Sequence, residues 1–227
     1  MGRLIAPLLI GGLGAAVLVS LGLWQMQRLQ WKENVLADIE ARIAAAPVAL
    51  PESPDPARDR YLPVSAEGAF GPEAIRVLVS RKGAGAGYRL ISPFETGERR
   101  VLVDRGFIPV AAEAPALPKD RVTVTGNLHW PEEVDGFTPE PDRAANIWFA
   151  REVPVLAEAL RTEPILIVLR DRSFQDQGVT PLPVDTSGIP NDHLKYAVTW
   201  FGLAAVWMTM TGYWVLRLLK ARDGKTA

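Results

Sequence analysis

His193, Trp200, Trp207 and Trp214 follow one another at intervals of seven. On a helix, positions seven apart share a face within a drift of about 20° per heptad. The spacing therefore sets one metal-competent imidazole above a ladder of indole rings. Tyr196 falls one turn after His193, close to the same face. Far upstream, Trp24, Arg28 and Trp31 fall at i, i+4 and i+7 and share one side of their own helix. A haem calls for an imidazole nitrogen for its iron, flat apolar walls for the macrocycle and cations for its propionates. His193, the tryptophans and Arg28 or Lys32 supply those groups. The same residues have a plainer reading. Trp and Tyr gather at membrane interfaces as anchors, and His193 is then only a polar residue at a helix start. Asp192 or Asn191 serves as the N-cap on either reading.

Other chemistries find little to draw on. The chain has 227 residues, no Cys and two His, His129 and His193. Without thiols there are no disulfides, no thiolate-held zinc or iron–sulfur cluster and no thiol redox catalysis. A Cys-free domain also suits an oxidising compartment, where it cannot mispair. Neither Gly-x-Ser-x-Gly nor His-Glu-x-x-His occurs, and with two His a triad or a multi-His metal site has little to draw on. The run Gly83 to Gly87 lacks the Lys-Ser/Thr of a phosphate loop and precedes a strand, so it reads as a flexible connection. A copper(I) site would need His or Met clusters, whereas Met26, Met208 and Met210 lie within or at the edge of apolar runs. Asp104-Arg105-Gly106 closes a strand and reads as a surface ion pair before a turn. His129, followed by Trp130 and Pro131, reads as a surface or satisfied strand histidine. With 25 basic against 26 acidic residues, no clustered positive surface for nucleic acid is implied. No motif supports an enzyme.

The elements that must position these residues are plain at the chain ends. Leu4 to Gln27 carries no charge, and a hydrocarbon core needs about 20 apolar residues. A signal peptide would have a shorter apolar region and a small-residue cleavage site, so the run reads as an uncleaved anchor. A second uncharged run, Tyr196 to Leu216, has Tyr196, Trp200, Tyr213 and Trp214 near its ends. The mean hydropathy of +0.07 describes neither the ends nor the middle. Arg217, Lys220, Arg222 and Lys225 follow the second run against Asp223 alone. The positive-inside rule puts that tail in the cytoplasm or the mitochondrial matrix, and two spans bring the N-terminus with Arg3 to the same side. The middle then faces the periplasm, or the intermembrane space of a mitochondrion. The first span begins without a targeting extension, which favours a bacterial inner membrane. Gly11, Gly12, Gly14, Ala15 and Gly22 are small enough to let two membrane helices approach closely.

Between the ends, WKENVLADIEARIAA extends the first helix amphipathically until Pro47, and Pro51 to Arg60 reads as an exposed loop. Strand-prone runs follow at 61–70, 75–81, 88–95, 100–108, 122–130 and 164–169, with a hairpin turn at Gly97-Glu98 and one helix near 154–161. Val179 to Pro190 reads as a Pro-rich linker. The expected architecture is an α+β membrane protein, with two terminal transmembrane helices flanking a small antiparallel β domain, barrel or sandwich-like, with one or two helices. Its parts are the first span at 1–27, the external domain at 28–190, the second span at 191–217 and a basic cytoplasmic tail at 218–227.

Five segments carry a family resemblance. LGLWQMQRLQWKENVL at 21–36, GYRLISPF at 87–94, VLVDRGFIP at 101–109, VTGNLHWPE at 124–132 and NDHLKYAVTWFGLA at 191–204 resemble, in order, the surfeit-locus-one (Surf-one/Shy) family of cytochrome c oxidase assembly proteins. Asp104 and Phe107 stand where the family more often shows Asn and Trp. The resemblance implies an assembly factor for a-type haem–copper oxidases that binds haem a near the outer membrane surface and aids its insertion into the haem-bearing subunit. It marks His193 as the iron-facing residue with Trp200 beside it. Tyr196, Trp207, Trp24 and Arg28 complete the expected haem contacts. Expected partners are the haem-bearing oxidase subunit, haem a synthase and membrane lipid. The alternative is a scaffold that steadies an oxidase intermediate without touching haem.

Overall fold

The computed structural model describes residues 2–81, 83–118 and 120–223. Lys225, counted above in the basic tail, lies outside them. The described residues form two units: one holds those up to Asp38 and from Ser187 on, the other is Ile39–Thr186.

The second unit is built on eight strands, β1 (Val48–Ala49), β2 (Pro63–Phe70), β3 (Ile75–Arg81), β4 (Gly85–Thr96), β5 (Arg99–Pro109), β6 (Val122–Leu128), β7 (Ile147–Trp148) and β8 (Leu166–Arg172). Their order is β1-β2-β6-β8-β5-β4-β3-β7, and β2 also pairs with β4 through Ala69 and Phe70. β4 and β5 form the expected hairpin, with Thr96 opposite Arg99 and Gly97 at φ +59° supplying the left-handed residue of a two-residue loop. The antiparallel expectation needs correction. β5 pairs with β8 in parallel, as do β1 with β2 and β3 with β7, so the sheet is mixed. Parallel pairing needs a long connection. The chain from β5 to β8, which includes β6, provides it, and β8 inserts between β6 and β5.

A strand buried on both faces reads as an almost continuous apolar run, and β5 and β8 do. Val101, Val103, Ile167 and Leu169 point into one core with Phe94, Val124 and Leu128. Leu102, Leu166 and Val168 point the other way, against Trp148 and the apolar face of α3 (Val153–Leu160).

Two loop expectations also change. The stretch from Pro51 to Arg60 holds a short helix, α2 (Pro56–Asp59). Asp55 caps it, accepting from the Ala57 and Arg58 N–H groups at 3.0 and 2.8 Å, and Asp59 is buried. The linker is docked in its first half. Thr180 exchanges both backbone hydrogen bonds with Phe107, Val179 is buried and Leu182 offers its carbonyl to Arg89.

α1 (Gly2–Ala44) runs past the apolar stretch, as the amphipathic extension requires. Its C-terminal carbonyls lack intrahelical partners. The Ile43 carbonyl accepts from Asn127 and Arg170 side chains, each at 3.0 Å. Leu4–Ala44 is long and apolar enough to cross a membrane; among the described helices only this one is. α4 (His193–Asp223) has the length, but Trp, Tyr, Thr and Gly dilute its hydropathy.

Candidate functional site

His193 is the first residue of α4. The Asp192 carbonyl accepts the Tyr196 N–H at 3.1 Å, which puts Asp192 at the cap position. The ring of His193 is half-buried, and its Nδ1 lies 2.8 Å from Oε1 of Gln25 on α1. An amide oxygen only accepts, so this contact calls for the ring proton on Nδ1. In the neutral ring with that tautomer the lone pair is on Nε2. Gln25 is itself buried, 9% exposed.

The helices hold this pair in register through a run of close contacts. A Cβ on Gly22 would come 2.6 Å from the Phe201 ring, and one on Gly14 would come 2.5 Å from Nε1 of Trp207. Gly11 faces Thr211, and its carbonyl accepts from the Trp207 indole N–H at 3.0 Å. Ala197 and Ala204 are buried on α4. Residues 25, 22, 14 and 11 thus meet 193, 201, 207 and 211, an antiparallel seam with small residues at the close approaches. Gly12, grouped above with these glycines, faces open space.

The other expected residues divide. Tyr196 and Trp24 are 53% and 52% exposed, and Trp200 is half-buried one heptad below His193. Arg28 lies one turn beyond Gln25, its guanidinium 4.3 Å from the centre of the Trp31 ring. Trp207 is set about 21 Å along the axis from His193, at 1.5 Å per residue. Its indole is committed to Gly11, and it lines a 360 Å³ cleft with Trp214, Pro7, Ile10 and Met210. The spacing of seven therefore places the imidazole and Trp207 on one face without placing them in one site. Gln25 escaped the sequence reading. Its signal was the seven-residue spacing Gly11, Leu18, Gln25 within an uncharged run, which repeats on α1 the period noticed on α4.

The sheet unit buries a different set of polar groups. Asp104, expected at the surface, is 1% exposed. It accepts from Arg89 at 2.5 Å, from Arg151 at 3.3 Å and from the Gly106 N–H at 3.1 Å. Arg105, also 1% exposed, reaches Asp176 with two hydrogen bonds of 2.9 and 2.6 Å. Successive strand residues face opposite ways, so Asp104 and Arg105 each meet a partner on their own side. Gly106 sits at φ +120°, against the Thr180 carbonyl, where a side chain would clash. Arg151 also holds Glu133. Burial raises the Glu133 pKa, but the hydrogen bond and charge of Arg151 outweigh it and leave the carboxyl below its usual range.

His129 stacks on Tyr61 at 5.5 Å, and its buried Nδ1 has no hydrogen-bond partner among the described residues. Burial, then the charges of Arg151 and Arg60, push its pKa down to about 4. A general base works best with a pKa near the working pH, and this imidazole is too weakly basic. The buried carboxylates Asp104 and Asp176 are each paired with arginine, an arrangement suited to locking strands together.

The SURF1 family model matches residues 13–205. The protein named Surfeit locus protein 1 in Homo sapiens is 30% identical over 232 residues, which cover 90% of this chain and 75% of that protein. A SURF1-like protein of Monosiga brevicollis is 32% identical over 218 residues, 86% of this chain and 82% of its own. One from Rickettsia felis is 30% identical over 199 residues, 83% and 87% respectively.

Proposed function

Because this chain belongs to the SURF1 family, we propose that it is an assembly factor for a-type haem–copper cytochrome c oxidase. It holds haem a at His193 and aids its insertion into the haem-bearing subunit. The observation that carries this reading is the 2.8 Å contact between His193 Nδ1 and Oε1 of Gln25, an acceptor placed to hold the ring proton on Nδ1 and so leave Nε2 for iron.

Haem fits this donor set better than a bare metal ion does. Among the described residues, no group of three or more His, Asp or Glu is placed to hold one. A macrocycle brings four nitrogens of its own and asks the protein for one or two axial ligands. Haem a is cargo here, and its redox chemistry belongs to the oxidase that receives it. Trp200, Tyr196 and Trp24 offer flat walls near His193, and Arg28 offers a cation for propionate. The exposure of Tyr196 and Trp24 suits a site that must release what it holds. Trp207 packs the helices. The protein binds its ligand without transforming it, and haem a synthase is the source from which cargo would come.

In this reading both α1 and α4 cross a bacterial inner membrane. Tyr196, Trp200, Tyr213 and Trp214 form the interfacial belts of α4, and Arg217 and Lys220 mark its cytoplasmic end. The sheet domain then lies in the periplasm and both termini in the cytoplasm. A scaffold without haem is the second reading. It is favoured by Phe137, 94% exposed beside exposed Val134, an apolar tip suited to a partner surface.

The test is to express the protein with and without the haem a biosynthesis enzymes, purify it in detergent and record its optical spectrum beside His193→Ala. Haem a in the wild type and none in the variant supports the carrier. Oxidase-subunit copurification that survives His193→Ala, with no haem in either protein, supports the scaffold.

A further inference from the structure

We infer that Gln25 is the positioning residue of the His193 imidazole, fixing its proton on Nδ1 and so keeping the Nε2 lone pair available to iron. This rests on the haem reading above. Gln25 is a buried amide in an uncharged apolar stretch of α1. A buried amide without a partner is costly, and the partner it finds is the one His of the helix pair, at 2.8 Å. Histidines that bind metal commonly donate their other ring N–H to a fixed acceptor, which sets the tautomer and the ring orientation. In water the imidazole prefers its proton on Nε2, the wrong nitrogen for a ligand that must use Nε2. The acceptor here comes from the opposite helix, beside the Gly22–Phe201 contact. The protonation pattern of a residue on α4 is thus set by the packing of α1.

The test compares wild type, Gln25→Met, which removes the acceptor at nearly constant volume, and Gln25→Glu, which restores one. Nitrogen-15 NMR of His-labelled, haem-free protein in detergent at pH 8 reads the tautomer directly. Haem a titration and the midpoint potential of the bound haem read its consequence, and thermal melting reads packing. The expected result is a proton on Nδ1 in the wild type and in Gln25→Glu, and a shift toward Nε2–H in Gln25→Met. Haem a affinity should fall roughly 10- to 100-fold in Gln25→Met and be kept in Gln25→Glu. The potential should drop in Gln25→Glu, because a carboxylate makes the ring a stronger donor. An unchanged tautomer in Gln25→Met overturns the inference. So does a changed tautomer with affinity and potential unaltered, or a Gln25→Glu protein that regains its melting temperature but not its haem. Wild-type protein that binds no haem a overturns the carrier reading itself and this role with it; the NMR arm still reports separately whether Gln25 sets the ring.

Discussion

In the sheet domain Asp104, Arg105 and Asp176 are sealed from solvent with every charge answered by an opposite one. In the helix pair Gln25 is buried too, but it meets the half-buried His193 ring through Nδ1 alone. Both regions bury polar groups among apolar neighbours, where an unmatched group is costly. One uses them to close a structure and the other to keep a nitrogen available. Burial alone does not mark function, since the most buried charges among the described residues, Asp104 and Arg105, are paired. A buried polar group whose partner retains an unused site is the better sign.

Breaking one member of a saturated pair should have the largest effect. Arg105→Met leaves buried Asp176 with the more distant Arg172, at 3.7 Å, and no hydrogen bond from Arg105, and should cost about 3–5 kcal/mol of sheet-domain stability in urea unfolding. Adding Asp176→Leu should recover most of that loss. If Arg105→Met alone is harmless, the pair is not sealed as described.

His129 makes a pH test of the same cluster. Its pKa of about 4 in the fold lies below the ordinary 6.5, so between these values the unfolded chain binds a proton that the folded one refuses. Its contribution is therefore complete above about pH 6.5 and lost as pH falls toward 4. The size should be about 2–3 kcal/mol, somewhat below the full shift because part of the ring reaches solvent. His129→Phe keeps a ring against Tyr61 and should flatten the acid limb of stability over that interval.

On the other side of the comparison, Gly14→Leu forces a side chain into Trp207 and should weaken the helix pair by about 1–3 kcal/mol in detergent melting. Gly12→Leu, pointing into open space, should leave it unchanged. The smallest effect belongs to Trp207→Phe, which removes the indole hydrogen bond to Gly11. It should cost about 0.5–1.5 kcal/mol, with haem binding retained.

Legibility in the sequence followed the range of the interactions. The strands and α3 were readable from alternation, apolar runs and turn residues, because those are local. The parallel β5–β8 pairing was not, since it joins Leu102–Asp104 to Leu166–Val168 across a long connection. α2 carried a readable Asp-Pro start that the prolines around it obscured. Asp104 and Arg105 read as surface charges because their partners, Arg89, Arg151 and Asp176, are distant in the chain. At the candidate site, the heptad from His193 was visible on one helix. Its meeting with Gln25 required knowing that α1 and α4 pack antiparallel in that register.

The central claim is that His193 provides the iron-facing nitrogen of a haem a carrier, and a cavity-rescue titration tests it most directly. Haem a is added to purified wild type and to His193→Gly, with and without imidazole, and the bound haem per chain is read from the spectrum. One haem per wild-type chain, its loss in His193→Gly and its return when imidazole is supplied are the expected results. Equal haem in the glycine variant without imidazole, or no haem in any sample, would contradict it.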